Sequence, residues 1–582
     1  MCYGSSKVRY NGSDIKRYNI MSITPYLWKK RGLNVRKIFG LFLVGILALA
    51  LVACGTDTPE ETPTPTIPTT TTTNTASISG ATEVTITVGD TFNHLEGVTA
   101  TDTATGDITS SITVDGLTTL DTNQAGNYTL TYKVMGSDGN EVTVTRLVIV
   151  LSATGCGVHE DLINGQCVKR APTVIRIMHG APYEVDPFHA DYSGTQQLAK
   201  QEKQTEIEEL YNVDVQYVPY PSNAPWGPDR VEAIVNASII GEHMAEIYWS
   251  VSDWIQRLAT AEAIVPVDQY LTTIGSNIRD GYKEVGEYRG QVYGFESGLL
   301  TVSSGLYYNA DLVASLGVQN PTDLFLAGNW NWTTFEAWAT AVDTALGTLG
   351  GDKYALGGMY SEYAEHMVPL NGGALINKNT GRVAFAQNPA LETYTFLSDL
   401  HTKGLFEPTP AYDAGSPDWM AGNVAMYPGQ LWFVTADNRW GQLPFELGFV
   451  PYPVSPTYTG DYQSPVSGVA VYHVASGMTA EKQELVFKVW NELQLWKTDA
   501  GYELEFEDTL VTKFDKEEYV EAYLEIYDMI YLDLINAVGI GAYSENGWRR
   551  NINLAIREGT ARTVMDAIKP IYDAALLDYL GD

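Results

Sequence analysis

At 582 residues the chain is too long for one hydrophobic core and calls for two or more domains. Hydrophobic residues at 45% and charged residues at 18% exclude a wholly disordered chain. The formal charge is −34, and beyond residue 53 the chain carries 27 bases against 69 acids, or −42, a surface that repels nucleic acid and anionic lipid heads. The 36 Tyr and 13 Trp can fill cores or face flat ligands such as sugars. The four cysteines include no CxxC pair and the eight histidines no HExxH, so neither a zinc site nor any other cofactor is called for.

In chain order, the first element is "IFGLFLVGILALALVA" at 38–53, 16 apolar or glycine positions preceded by Arg36 and Lys37. It is short for a membrane span and right for the apolar part of a secretory signal. Its end, Leu51-Val52-Ala53-Cys54, resembles the bacterial lipobox. That resemblance implies cleavage before Cys54 and a lipid on its thiol; a plain secretory signal or an anchor helix are the rivals. The 37 residues upstream exceed what a signal needs, which fits a start assigned too early, with Met21 or a position near Arg36 as the true one. Residues 55–75 hold 11 Thr and 4 Pro and are expected to be an extended leash.

From about 79 to 152 the pattern has period two: in "GNYTLTYKVM", Tyr128, Leu130, Tyr132 and Val134 share a face. "SDGN" at 137–140 turns the chain into "EVTVTRLVIV". Short strands at this spacing predict a small all-β sandwich. "VTITVGDTFNHLEGVTATDTATGDITSSITV" resembles bacterial cell-surface Ig-like repeats, which implies a spacer role. Residues 153–172 then carry Asn164-Gly165, a hairpin turn flanked by Cys156 and Cys167. Outside the cell a structural disulfide between them is expected, with two free thiols in a loop as the alternative.

Residues 173–582 alternate strand-like and helix-like stretches: "TVIRIMHG", "TQQLAKQEKQTEIEELYNV", "VDVQYVPY", "DRVEAIVNASIIG", "AEIYW". This predicts an α/β domain with a doubly wound sheet, binding at the carboxyl ends of its strands. Six ordered blocks then carry a resemblance: "AEIYWSVSDWIQRLATAEAIVPVDQYL", "QVYGFESGLLTVSSGLYYNADLVASLGV", "NWNWTTFEAWATAV", "DWMAGNVAMYPGQLWF", "FELGFVPYPVSP" and "SPVSGVAVYHVASGMTAEKQELVFKVWNEL". Together they resemble the extracellular solute-binding proteins of family 1, sugar receptors of ABC importers. The resemblance implies a two-lobed, periplasmic-binding-protein-like (type II) domain with a hinge. Lobe 1 is expected at about 173–295 plus 468–525, and lobe 2 at about 300–465 plus 526–582. The crossings fall near Glu296–Leu300 and Pro465–Gly468, with Gly294, Gly298 and Gly468 supplying backbone freedom. It further implies a monomer that closes on a carbohydrate and docks on a membrane permease.

A sugar site needs aromatic platforms and planar polar groups. Residues where strands end are the candidates: His179, Tyr183 and Asp186 after the first strand, then Trp249, Ser250 and Trp254 after "AEIY". Glu296 stands at the first crossing, and the second lobe offers Tyr360, Gln430, Trp432, Asp437, Trp440 and Trp548. Packing is the competing role for each Trp; Trp338, Trp490 and Trp496 lie among apolar residues and read as core, while Trp330 and Trp332 read as a helix-start staple. A lipid-anchored glycoside hydrolase is the main rival function, since it needs only two carboxylates across a bond. No GxSxG, HExxH, GxxxxGK[ST] or GxGxxG is present to call for chemistry. A peptide receptor and a surface adhesin are further alternatives. The reading that covers most of the chain is a non-enzymatic receptor, lipid-anchored on the extracellular face of the membrane.

Overall fold

The computed structural model describes residues 75–377, 380–411 and 415–581. Cys54, the apolar run and most of the Thr/Pro stretch lie outside the described residues. No helix among the described residues is long and apolar enough to cross a membrane.

Residues 76–151 form two sheets, one of four strands and one of three. The long hairpin Gly126–Met135 with Glu141–Leu151 is the centre of the larger sheet. Its period-two pattern buries Leu130, Tyr132 and Val134 and turns Thr129 and Met135 outward. The buried Arg146 does not disturb this core, because its Nε donates to Thr82 O at 2.8 Å and its Nη2 to Gly80 O at 2.6 Å. A second hairpin, Glu160–Ile163 with Gln166–Lys169, turns at Asn164 (φ 53°) and Gly165 (φ 78°). Both left-handed residues suit the primed turn that a two-residue hairpin requires. Cys156 and Cys167 are bonded across its base, with Cα atoms 5.4 Å apart.

The first lobe is built on a five-stranded sheet with the order Val213–Pro219, Thr173–His179, Ile247–Val251, Ala470–Ala475, Ile264–Val265. Thr173–His179 runs parallel to both Val213–Pro219 and Ile247–Val251. Ala470–Ala475 returns from the second lobe and pairs antiparallel with Ile247–Val251. The helices Gln197–Tyr211 and Ala480–Leu493 cover this sheet with Ile207, Val486, Phe487 and Trp490. The second lobe holds a four-stranded sheet in the order Tyr354–Leu356, Val424–Gln430, Ser304–Asn309, Leu447–Val450.

The chain leaves the first lobe after Phe295, which still bridges to Tyr472, and enters the second at Ser304. It returns through Ser464–Val466, which pairs with Ile530–Leu532. Gly298 (φ 94°) and Gly468 (φ 60°) sit on these crossings in backbone conformations that side chains disfavour. The lobe boundary differs from the sequence expectation near the end of the chain. Leu510, Phe514, Tyr519, Val520 and Tyr523 pack into the second lobe's core, so this part of the chain belongs there, while Asp499, Tyr502 and Glu505 still meet Arg279 and Gln196 of the first lobe. Periodicity shows that these helices are amphipathic but not which sheet receives their apolar face.

Candidate ligand-binding site

Because Thr173–His179 and Ile247–Val251 are parallel, their carboxyl ends deliver side chains to one edge of the first lobe. The His179 ring lies 4.5 Å from Trp249 and 6.4 Å from Tyr472. Burial pushes its pKa down to about 4, with the Arg230 guanidinium adding to the effect, so the ring is neutral at pH 7. Its Nδ1 accepts from the Ala181 N–H at 3.0 Å. Trp226, 51% exposed, stands 6.0 Å from Trp249 and 4.9 Å from Trp254. Trp226, Trp249 and Trp254 thus make one continuous aromatic wall.

Polar groups gather at the two crossings. At the first, Glu296 Oε1 accepts from the Ser297 N–H at 2.7 Å and its hydroxyl at 3.2 Å. Burial pushes this carboxyl up to about 7 despite those bonds. At the second, the Gly468 N–H donates to Asp253 Oδ1 at 2.7 Å, joining a first-lobe loop to the crossing. Burial raises Asp253 to about 6. Next to it, Ser467 Oγ donates to Glu365 Oε1 at 3.2 Å, and Asn536 Nδ2 donates to Ser467 Oγ at 3.2 Å. Arg549 bridges Glu365, at 2.5 Å, and Glu362. Carboxylates, amide, hydroxyl and guanidinium from both lobes therefore meet beside Gly468, the mix that recognises hydroxyl-rich ligands.

The second lobe presents Gln430 opposite Ser304, the first residue after the crossing. Trp432 Nε1 donates to Gln430 Oε1 at 2.7 Å, and the ring is 47% exposed with Arg439 over one face at 4.9 Å. Tyr183 is exposed beside His189, and Asp437 is exposed and bonded to Gln442 at 3.4 Å.

Three predicted contacts are instead core residues. Tyr360 is buried against Phe406 at 4.8 Å and bonds His401 at 2.8 Å. Trp440 is buried among Tyr307, Trp419 and Phe433. Trp548 is buried near Tyr394 and Tyr572. Placement after a strand locates a residue along the sheet but not on its open or its packed side, and large rings favour the packed side. Sequence reasoning missed Glu362, Glu365, Asn536 and Arg549. The signal was present in "YSEYAEHM", where Glu362 and Glu365 share a helix face, and in "ENGWRRN", where the charged neighbour of Trp548 faces the crossing. Trp226 was also missed; it stands one residue before the helix Gly227–Ile239.

Ser250 Oγ and His473 Nε2 lie 2.7 Å apart, a spacing that suits a nucleophile and base. Both are fully buried, and His473 Nδ1 bonds the Tyr293 carbonyl rather than a carboxylate, so the pair is a polar clasp between two strands. Among the described residues no group of His, Cys, Asp and Glu could hold a metal ion. A groove of about 950 Å³ runs along Trp332–Leu346 and includes none of the residues above.

Residues 76–150 match the family model of the bacterial surface protein Ig-like domain. Residues 187–488, more than half of the chain, match that of the bacterial extracellular solute-binding proteins. No curated protein matches the sequence. Among solved structures, UgpB of Mycobacterium tuberculosis in complex with glycerophosphocholine is similar at TM-score 0.51 and 14% identity, over 69% of this chain and 98% of that one. The GacH receptor of Streptomyces glaucescens aligns at TM-score 0.48 and 16% identity, over 70% and 99%. MalE, a sugar-binding protein from Xanthomonas citri, aligns at TM-score 0.47 and 14% identity, over 70% and 98%. By its family match, its two-lobed sheets and the crossings between them, the chain belongs to the bacterial extracellular solute-binding protein family, with an Ig-like domain ahead of the binding domain.

Proposed function

We propose that this protein is a membrane-tethered receptor that captures a carbohydrate between its lobes and delivers it to an ABC import permease. The observation that carries the sugar reading is the wall of Trp226, Trp249 and Trp254 on the first lobe, joined by Asp253 to the polar crossing that holds Glu365, Asn536 and Arg549. Flat rings take the CH faces of a pyranose, and the carboxylates and amide take its hydroxyls. Gly298 and Gly468 let the lobes rotate on the ligand, as hinge closure requires. The lipobox at Cys54 and the Thr/Pro stretch support a tether, with the Ig-like domain as spacer and a lipid in place of a spanning helix. Within the proposed site, Trp249, Trp254, Glu296, Gln430 and Trp432 remain as ligand contacts, Tyr183 and Asp437 as peripheral ones.

The test is a titration of intrinsic tryptophan fluorescence with mono- and oligosaccharides on the wild type and on Trp249→Ala. Loss of one stacking ring is expected to weaken binding by about tenfold, on the order of 1.4 kcal/mol. A saccharide that binds both proteins equally well would remove Trp249 from the site.

A further inference from the structure

Arg230 is a buried charge that the fold leaves incompletely paired. It sits in the first turn of the helix Gly227–Ile239 and is only 2% exposed. Its guanidinium stacks 3.9 Å from the Tyr220 ring centre, 4.9 Å from Trp226 and 5.8 Å from Trp249. Nη2 donates to the Pro225 carbonyl, but Nε and Nη1 find no acceptor among the described residues. Arg146, comparably buried in the Ig-like domain, has carbonyl acceptors for Nε, Nη1 and Nη2. Ring faces offset part of the cost of burying a cation, but they do not accept in-plane N–H groups as a carboxylate does.

Two further features point the same way. Trp226, the residue before the helix, offers no side-chain cap, so the first-turn N–H groups beside Arg230 carry the positive end of the helix dipole without a side-chain acceptor at the cap. Exposed Gly180, at the end of the strand Thr173–His179, lies directly over the guanidinium: a Cβ there would stand 3.2 Å from Nη2, 3.4 Å from Nη1 and 3.4 Å from Trp249. The strand end is thus cut back where the guanidinium meets the aromatic wall, and the half-exposed Trp226 covers the other side. The acid next in sequence, Asp229, points to solvent and does not pair with it.

We propose that Arg230, together with the start of its helix, is an anion subsite of the ligand cleft, and that the captured saccharide carries a carboxylate, sulfate or phosphate substituent. The proposal rests on the sugar-receptor reading and narrows it. The anionic group enters beside Gly180 and accepts N–H bonds from the guanidinium, while the sugar ring stays on the aromatic wall.

The test compares a neutral trisaccharide with the same trisaccharide as its uronate and as its sulfate ester, by calorimetric titration of the wild type and of Arg230→Met. The wild type should bind one of the anionic forms at least about tenfold more tightly than the neutral one, as charge-assisted hydrogen bonds allow. Arg230→Met should abolish that preference. If that variant does not fold, competition on the wild type decides: inorganic sulfate should displace the anionic saccharide and not the neutral one. Equal wild-type affinity for neutral and anionic forms would overturn the anion subsite and leave the receptor reading standing. Equal weakening of both forms in Arg230→Met would make the arginine a support for the wall and nothing more. Binding of none of the three would count against the receptor reading itself.

Discussion

Single side chains in the first lobe show opposite uses of burial. Glu246 is 2% exposed and meets Arg176 at 3.1 Å and Lys482 at 2.9 Å, and these partners outweigh its desolvation and hold its pKa down to about 2. A depressed carboxyl contributes stability above its unfolded pKa that is lost as pH falls toward 2. Glu246→Ala, which leaves two partly exposed cations without their partner, is expected to cost about 1.5–3 kcal/mol in denaturant unfolding at pH 7. Glu296 behaves in the opposite sense. Its pKa is raised to about 7, so its contribution is present below the unfolded value near 4.5 and is lost as pH rises through 7. Melting temperatures of Glu296→Gln between pH 4.5 and 7.5 should decline less with pH than those of the wild type; parallel curves would show that Glu296 titrates normally. Neither pKa could be read from the sequence, where both residues are one acid among many. Chain order alone puts Trp249 at a strand of the first lobe and Glu296 at the first crossing, where the structure also has them. The strand-end rule failed for Trp440 and Trp548, whose burial is decided by neighbours distant in sequence.

At the scale of elements, the sequence pattern was most informative where it repeats. The hairpin Gly126–Met135 with Glu141–Leu151 alternates as written, and the Asn164-Gly165 turn closes the hairpin that Cys156 and Cys167 join. Helix partners were less legible, as Leu510, Phe514 and Tyr523 show, because an apolar stripe carries no address. The strand Val424–Gln430 supplies a test of packing. A Cβ on Gly429 would fall 1.9 Å from the Trp440 ring, so this glycine is what admits the tryptophan to the second lobe's core. Gly429→Ala is expected to destabilise by about 1–3 kcal/mol, as overpacked cores do, measured as a lower denaturant midpoint. An unchanged midpoint would mean that Trp440 moves freely. The helix Trp332–Leu346 starts on a reciprocal cap, Asn331 with Thr334, and Asn331→Ala should cost about 1 kcal/mol.

For the whole molecule, the proposed order of parts follows a physical logic: a lipobox-like segment, a Thr/Pro-rich stretch, an Ig-like domain, a disulfide-joined hairpin and the binding domain. The two lobes were legible from the order of the blocks, since each crossing is a chain exit that the neighbouring strands fix. The site between them was legible only in outline. Trp249, Trp254 and Trp432 stand out in the sequence and Trp226 does not, whereas Glu365, Asn536 and Arg549 become neighbours only when separate parts of the chain meet beside Gly468. The central claim is that the protein binds a carbohydrate and leaves it unchanged. The most direct measurement is a thermal melt against a panel of neutral and anionic oligosaccharides, with peptides as control and recovery of the ligand afterwards. A saccharide at 100 times its Kd should add about 2.7 kcal/mol and raise the melting temperature by a few degrees, and it should be recovered intact. A cleaved product, or a shift with peptides alone, would contradict the account.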